Sequence, residues 1–415
     1  MRGRPPERVL VIGDDMRIFL TLVRSLGRAG KEVHAAPFNW QSPALRSKYI
    51  SAVHYFPRYS DDPAAWQASV LDVLRSHSFD LVVPCCDPAI LALDAHRRQF
   101  EGYPIAIPGA GAMGLLFDKE RTRELCVKLG IPVTDGTRID PSSTAQLLVA
   151  RFGLPLVLKP RRSYWLDRLD CVDKVWIVES EPELRRLLGV IQEPSRYLVE
   201  GYFEGAGVGV SVLTHDGNIL HAFQHRRLRE GRGGSSSYRV SEPVNEELYR
   251  ACRKICDHTK LSGVCMFEFR YNLTNHSWVL LETNARFWGS VPLPVSLGVD
   301  FPRLLYDLLV HRTEHAPIQY AAGIRGRNLV LDAFNLFKGI RDLRRDNIAT
   351  WIGDLGDFLM QPIRWLSGHE RCDTFVMDDL RPGMWECLML VRGISQKLMR
   401  HRSPELKRRR SEQVA

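Results

Sequence analysis

Two short apolar runs, residues 264–270 and 278–282, flank the polar stretch Asn272-Leu273-Thr274-Asn275-His276-Ser277. Apolar arms around a polar turn mark an antiparallel hairpin, and no other feature constrains this chain as strongly. Pairing that is symmetric about Asn275 sets Glu268 directly opposite Glu282. Side chains alternate faces along a strand, so Asn284 continues the face of Glu282. Opposed residues have Cβ atoms about 5 Å apart, where like charges destabilise. A bound cation offsets that repulsion. Two carboxylates and an amide oxygen make a hard oxygen site, which suits Mg²⁺ carrying nucleotide phosphates. The competing reading is an ordinary hairpin whose two glutamates end in solvent, and the rest of the chain bears on the choice.

With 415 residues the chain is long enough for two or three domains with ample core. Its 45% hydrophobic and 25% charged content belongs to the soluble globular class. No apolar run reaches the roughly 20 residues of a bilayer span. The start, Met1-Arg2-Gly3-Arg4-Pro5-Pro6, does not read as a secretory signal. Nine cysteines without Cys-x-x-Cys spacing read as reduced, mostly buried thiols, so a cytoplasmic location is expected. The net charge of +9 favours anionic partners in general. Apart from the tail Lys407-Arg408-Arg409-Arg410 the positive residues are scattered, and nucleic-acid-binding motifs are missing, so no nucleic-acid partner is expected.

The N-terminal pattern alternates strand and helix: Val9-Leu10-Val11-Ile12, then a helical face of Phe19, Leu20, Leu22, Val23 and Leu26, then strands near residues 33–36, 79–84 and 105–108. That order predicts a parallel, Rossmann-like sheet over 1–115. Asp14 and Asp15 follow Gly13, so the Gly-x-Gly-x-x-Gly fingerprint is missing and a dinucleotide site is unsupported. A second unit spans 116–315, with strands at 156–160 and 197–200 and a hairpin signalled by His215-Asp216-Gly217-Asn218. From 316 to 400 the pattern turns mainly helical. Amphipathic stretches at 351–366 and 384–399 are expected to face core, with peripheral membrane contact as the lesser alternative. Residues 401–415 form a basic tail whose composition predicts disorder.

With these residues in place the chain resembles the ATP-grasp ligases. It is most similar to the carboxylate–amine ligase-like branch that includes the carbamoyl-phosphate synthase large subunit. The resemblance rests on Phe267-Glu268-Phe269 followed by Leu281-Glu282-Thr283-Asn284-Ala285-Arg286. It implies an α/β fold with ATP-grasp α+β domains, and it implies that Glu268, Glu282 and Asn284 hold two Mg²⁺ ions, with Mn²⁺ as a substitute. It further implies that Lys119 and Lys159 contact the nucleotide phosphates, and that Glu200 and Tyr202 form the hinge whose backbone reads adenine. Arg286 and Arg226 are the candidates for stabilising the transferring group, and His225 is open between a structural and a catalytic role. The implied reaction joins a small-molecule carboxylate to an amine through an acyl phosphate, with ATP as the energy source. The alternative is a degenerate module that binds nucleotide without turnover. Asp87 and the loop at 232–238 are candidate walls of the acceptor pocket, and a homodimer contact is left open for 316–400. Two departures stand out: Arg161-Arg162-Ser163-Tyr164-Trp165 replaces a glycine-rich loop, and Gly205-Ala206-Gly207-Val208-Gly209 replaces a ribose-binding glutamate, leaving Glu204 nearby.

Overall fold

The computed structural model describes residues 6–13, 16–140, 142–230, 236–341 and 348–392. Asp14, Asp15, residues 231–235 of the glycine–serine stretch and the basic tail lie outside the described residues. Strands β1 (Arg8–Ile12), β2 (Glu32–Ala36), β3 (Ile50–Val53) and β4 (Leu81–Pro84) form a parallel sheet in the order β3-β2-β1-β4. Val9 to Ile12 are fully buried, as a continuous apolar run is when helices cover both faces of a parallel sheet. The helices Met16–Arg28 and Pro63–Ser76 supply Phe19, Leu22, Trp66 and Val70 to that core. Ile105 adds one isolated bridge to Val82 rather than a full strand.

Strands β5 (Gly136–Arg138), β6 (Leu156–Pro160), β7 (Trp176–Val178) and β8 (Tyr197–Gly201) form a small antiparallel sheet, β5-β8-β6-β7, with its own core. The large sheet contains β9 (Ala206–His215), β10 (Asn218–Glu230), β11 (Ser236–Glu242), β12 (Gly263–Tyr271), β13 (Trp278–Asn284), β14 (Arg325–Arg327) and β15 (Glu370–Cys372). Its order is β13-β12-β9-β10-β11-β14-β15. The β9–β10 turn holds Asp216 at φ 47° and Gly217 at φ 82°, the two left-handed positions of a tight hairpin.

Burial decides which way the glutamate hairpin faces. Cys265, Phe267 and Phe269 are at most 1% exposed and pack with Cys252 and Ile255 of helix Glu246–Thr259. Alternation therefore turns Met266 and Glu268 to the opposite face. On that face Met266, Leu213 and Phe223 join the core of the first sheet, together with Trp288 and Phe301. One apolar cluster thus locks the parallel sheet against the large sheet and brings their loops together.

The region after 316 is helical over Leu329–Arg341, Ile348–Leu359 and Gln361–Leu366, but it also supplies β14 and β15 to the large sheet. These strands are three residues long and lack apolar alternation. Ion pairs hold them instead. Arg327, fully buried, meets Glu370 at 2.6 Å and also Asp332, and its guanidinium lies 3.6 Å from the Tyr238 ring centroid. The amphipathic helices differ from expectation: Ile352, Leu359, Ile363 and Leu366 are exposed rather than in the core. Among the described residues no helix is long and apolar enough to cross a membrane.

Candidate active site

Glu268 pairs in register with Glu282, and Met266 with Asn284, as symmetry about Asn275 requires. Asn284 Nδ2 donates to Glu268 Oε1 at 3.0 Å and to Glu282 Oε1 at 3.4 Å. Both carboxylates and the amide therefore converge on one spot of one face. Beyond Glu268 the register slips, because Phe269 faces Leu280 and Leu281 is the extra residue of a bulge. A bulged residue is released from the ladder. The Leu281 carbonyl is used instead by Lys159, whose Nζ donates to it at 3.2 Å and pairs with Glu200 Oε2 at 2.7 Å.

Cations surround the cluster. Lys119 Nζ lies 3.3 Å from Glu282 Oε2 and 3.0 Å from Ser163 Oγ. Lys119 opens the helix Lys119–Lys128, which Asp118 caps by accepting from the Glu120 and Arg121 amides. Arg227 pairs with the second oxygen of Glu268. Arg286 Nε donates to Asp87 Oδ1 at 2.7 Å and Nη2 to Asn284 Oδ1 at 3.0 Å, which ties the start of the helix Asp87–Ala95 to the hairpin. Burial pushes the Glu282 carboxyl upward, but Lys119 and Lys159 outweigh it and hold the group at about 2. Burial raises Glu268; Arg227 opposes that, and the neighbouring charge of Glu282 adds to it. Opposite shifts in facing carboxylates are the mark of a built site rather than a solvated hairpin end. The donor set fits divalent metal: two carboxylates share one face with an amide that turns its nitrogen to them and its oxygen to Arg286, and a flip about its last torsion would turn the oxygen inward.

A family model described as "ATP-grasp in the biosynthetic pathway with Ter operon" matches residues 193–329, the stretch that carries this hairpin. The chain carries an ATP-grasp domain. It is 22% identical over 323 residues to the D-aspartate ligase of Enterococcus faecium (strain Aus0004), covering 72% of this chain and 75% of that protein. It is 26% identical over 210 residues to the carbamoyl phosphate synthase large chain of Thermus thermophilus, covering 47% of this chain and 20% of that one. The biotin carboxylase domain dimer of Hydrogenobacter thermophilus 2-oxoglutarate carboxylase, solved with MgADP, ADP and bicarbonate, superposes with a TM-score of 0.61 at 16% identity. That match covers 78% of this chain and 74% of the other, and it establishes the ATP-grasp fold.

Within the ATP-grasp domain one expected residue changes. Arg226 points away from the carboxylates and binds Glu242 Oε1 at 2.5 Å, together with Gln224 on the outer face of β10. Alternation gives the inner face to His225 and Arg227 instead. Arg227→Gln is therefore expected to lower turnover about 100-fold, and Arg226→Gln to leave it within about twofold; steady-state kinetics of the two variants checks the assignment. His225 is buried, and burial, with Arg239 and Arg227 adding, drives its pKa well below the ordinary histidine value. Gly209 makes room for it, because a Cβ there would lie 2.4 Å from the His225 ring. Gly207 likewise makes room for Arg227 and Glu230 of β10, whereas Gly205 lies against the Tyr271 backbone of β12.

Glu200 lies within β8, between β5 and β6, and its carboxylate is taken by Lys159 and by Thr134 Oγ1 at 2.9 Å. The strand ends at Gly201, and Tyr202 follows it exposed. Segment 161–164 is pinned. Arg161 pairs with Asp118 at 2.9 Å and Glu120 at 3.0 Å, and its carbonyl accepts from the Lys119 amide at 2.8 Å. Sequence reasoning missed Arg227, Ser163 and Arg17, which lines the same cleft as Glu268 and donates to the Ser236 carbonyl at 3.1 Å.

Proposed function

We propose that the chain is an ATP-dependent ligase that joins a carboxylate to an amine and releases ADP and phosphate. The observation that carries this reading is the convergence of Glu268, Glu282 and Asn284 on one sheet face beneath Lys119, Lys159, Arg227 and Arg286. A substrate carboxylate oxygen attacks the γ-phosphorus, the bond to the bridging oxygen breaks, and ADP leaves. The amine lone pair then attacks the acyl carbon, phosphate leaves, and the amine loses a proton. Such chemistry asks a protein mainly for positioning and charge neutralisation. Lys119 and Lys159 hold phosphate oxygens, while Arg227 and Arg286 balance charge on the transferring group. Glu268, Glu282 and Asn284 would hold two Mg²⁺ ions, or Mn²⁺ in their place, and the ions would supply charge neutralisation to the phosphates. Glu200 and Tyr202 line the hinge on the adenine side, where β8 ends at Gly201.

The acceptor site is assigned to a cavity of about 900 Å³ lined by Phe38, Trp40, Phe56, Arg58, Tyr59 and Tyr164. Tyr164 also lines the cleft of Lys119, Glu282 and Asp87, so the two spaces adjoin. Volume and aromatic lining suit an acceptor larger than a free small amino acid. Trp40, tilted 60° against Tyr55 with ring centroids 5.0 Å apart, forms part of that wall. Trp40→Ala is expected to raise the acceptor KM about tenfold, about 1.4 kcal/mol of lost contact, with the KM for ATP unchanged. On this reading 1–115 is the acceptor-side domain, 116–315 the ATP-grasp domain and 316–400 a C-terminal region whose strands β14 and β15 extend the large sheet. A cytoplasmic site of action supplies the ATP.

Coupled detection of ADP against pooled carboxylates and amines tests the reading. Mg²⁺-dependent release that requires both an acid and an amine supports it. Nucleotide retained through purification with no release across the whole panel would instead favour a binding module.

A further inference from the structure

We infer that the first sheet carries a three-histidine site for a divalent transition-metal ion, built from His34, His54 and His77. His34 lies on β2, His54 follows β3 and His77 ends helix Pro63–Ser76. One ring nitrogen from each lies within 4.8 Å of the others. Tetrahedral zinc bonded at 2.0–2.1 Å puts its nitrogen ligands about 3.3 Å apart. The His34 Nδ1 to His54 Nε2 separation of 2.9 Å already falls inside that. Side-chain rotation brings in the third ring.

The outer hydrogen bonds fix where the protons are. His34 Nε2 faces Glu32 Oε1 at 2.9 Å, and an ionised carboxylate only accepts, so the proton sits on Nε2 and Nδ1 is a lone pair. Glu32 is held in turn by Arg8 Nη2 at 3.0 Å. His77 Nδ1 faces the Val73 carbonyl at 3.2 Å, which also only accepts, so Nε2 of His77 is a lone pair too. Carboxylate and carbonyl partners that free the other nitrogen are the usual outer contacts of metal-bound imidazole. The short gap between His34 and His54 must then hold either a proton or a cation. Burial first, then the two neighbouring rings, lowers His54 to about 4, and burial lowers His34, so these two rings are neutral near pH 7. Neutral imidazole is the binding form.

Phe79, its ring 5.2 Å from His34 and 5.8 Å from His77, backs the cluster as an apolar wall. His34 is buried while His54 and His77 are half-buried, which leaves a fourth position open to water. Imidazole ligands select zinc, copper or nickel over magnesium and calcium. None of the three histidines lines the clefts around Glu268 and Glu282, so the site is separate from the phosphate chemistry. His54 precedes by two residues the segment starting at Phe56 that walls the large cavity. A bound ion would clamp β2, β3 and the helix beneath that wall.

The test uses the untagged full chain freed of metal by chelation. Calorimetry with Zn²⁺ should find one equivalent bound. Cobalt(II) should give the visible bands of a four-coordinate, nitrogen-ligated ion. His54→Asn and His77→Ala should remove that site, and Glu32→Gln should weaken it about 10- to 100-fold. Should a variant misfold by circular dichroism, the cobalt spectrum of the unmodified chain still decides. A thiolate charge-transfer band, failure to bind at micromolar metal, or unchanged affinity in folded His54→Asn and Glu32→Gln overturns the inference.

Discussion

Glu282→Gln should lower Mg²⁺-dependent ADP release by about a thousandfold, about 4 kcal/mol of transition-state stabilisation. Glutamine keeps the shape and the hydrogen bond to Asn284 but surrenders the negative oxygen that a hard cation requires. The carboxyl is held at about 2, despite burial, by Lys119 and Lys159, so it is fully ionised at neutral pH and its charge is what the substitution removes. The fold should survive. Glu282 faces another carboxylate across the ladder, and neutralising one of two opposed like charges relieves repulsion. Losing the attraction of Lys119 and Lys159 outweighs that relief, so stability measured in urea should fall by about 1–3 kcal/mol. Loss of turnover in a variant that circular dichroism shows to be folded separates a chemical role from a structural one. Wild-type turnover in the variant would remove the metal assignment.

The largest stability effect should come from a residue far from the chemistry. Arg327→Met should destabilise the chain by about 3–5 kcal/mol, read as a lowered urea midpoint. Arg327 and its partners Glu370 and Asp332 are all fully buried. Asp332 also serves Arg229 at 2.6 Å and Ser237 at 2.7 Å. Removing the arginine leaves Glu370 without its closest cation in a low-dielectric interior, and that uncompensated charge sets the cost. The partly exposed pair Arg226–Glu242, at 28% and 26% exposure, provides the contrast. Breaking it with Arg226→Gln should cost less than about 1 kcal/mol. Equal effects from the two substitutions would mean that the buried network does not anchor β14 and β15.

The parts of this molecule legible in the sequence are those where apolar alternation and turn chemistry agree. The glutamate hairpin is one: Cys265, Phe267 and Phe269 commit one face to core, and the polar turn fixes the register around Asn275. The β9–β10 hairpin is another, because Asp216 and Gly217 tolerate the left-handed turn. Where charge occupies both faces the pattern carries no parity. Gln224-His225-Arg226-Arg227 has polar residues at every position, so the arginine that reaches the carboxylates could not be told from its neighbour. The bulge at Leu281 leaves no sequence mark, yet it frees the carbonyl that Lys159 uses. β14 and β15 escaped notice because ion pairs rather than apolar faces hold them. The histidine cluster is invisible for a different reason: residues 34, 54 and 77 share no spacing and meet only when β2, β3 and a helix end pack together.

Crystals grown with Mn²⁺ and a non-hydrolysable ATP analogue test the central assignment most directly, through the anomalous scattering of manganese. The peaks should lie among Glu268, Glu282 and the Asn284 side-chain oxygen, next to the triphosphate, with Arg227 and Lys119 moved off the carboxylates they now pair with. Nucleotide bound in the cleft with no manganese between Glu268 and Glu282 would contradict the account.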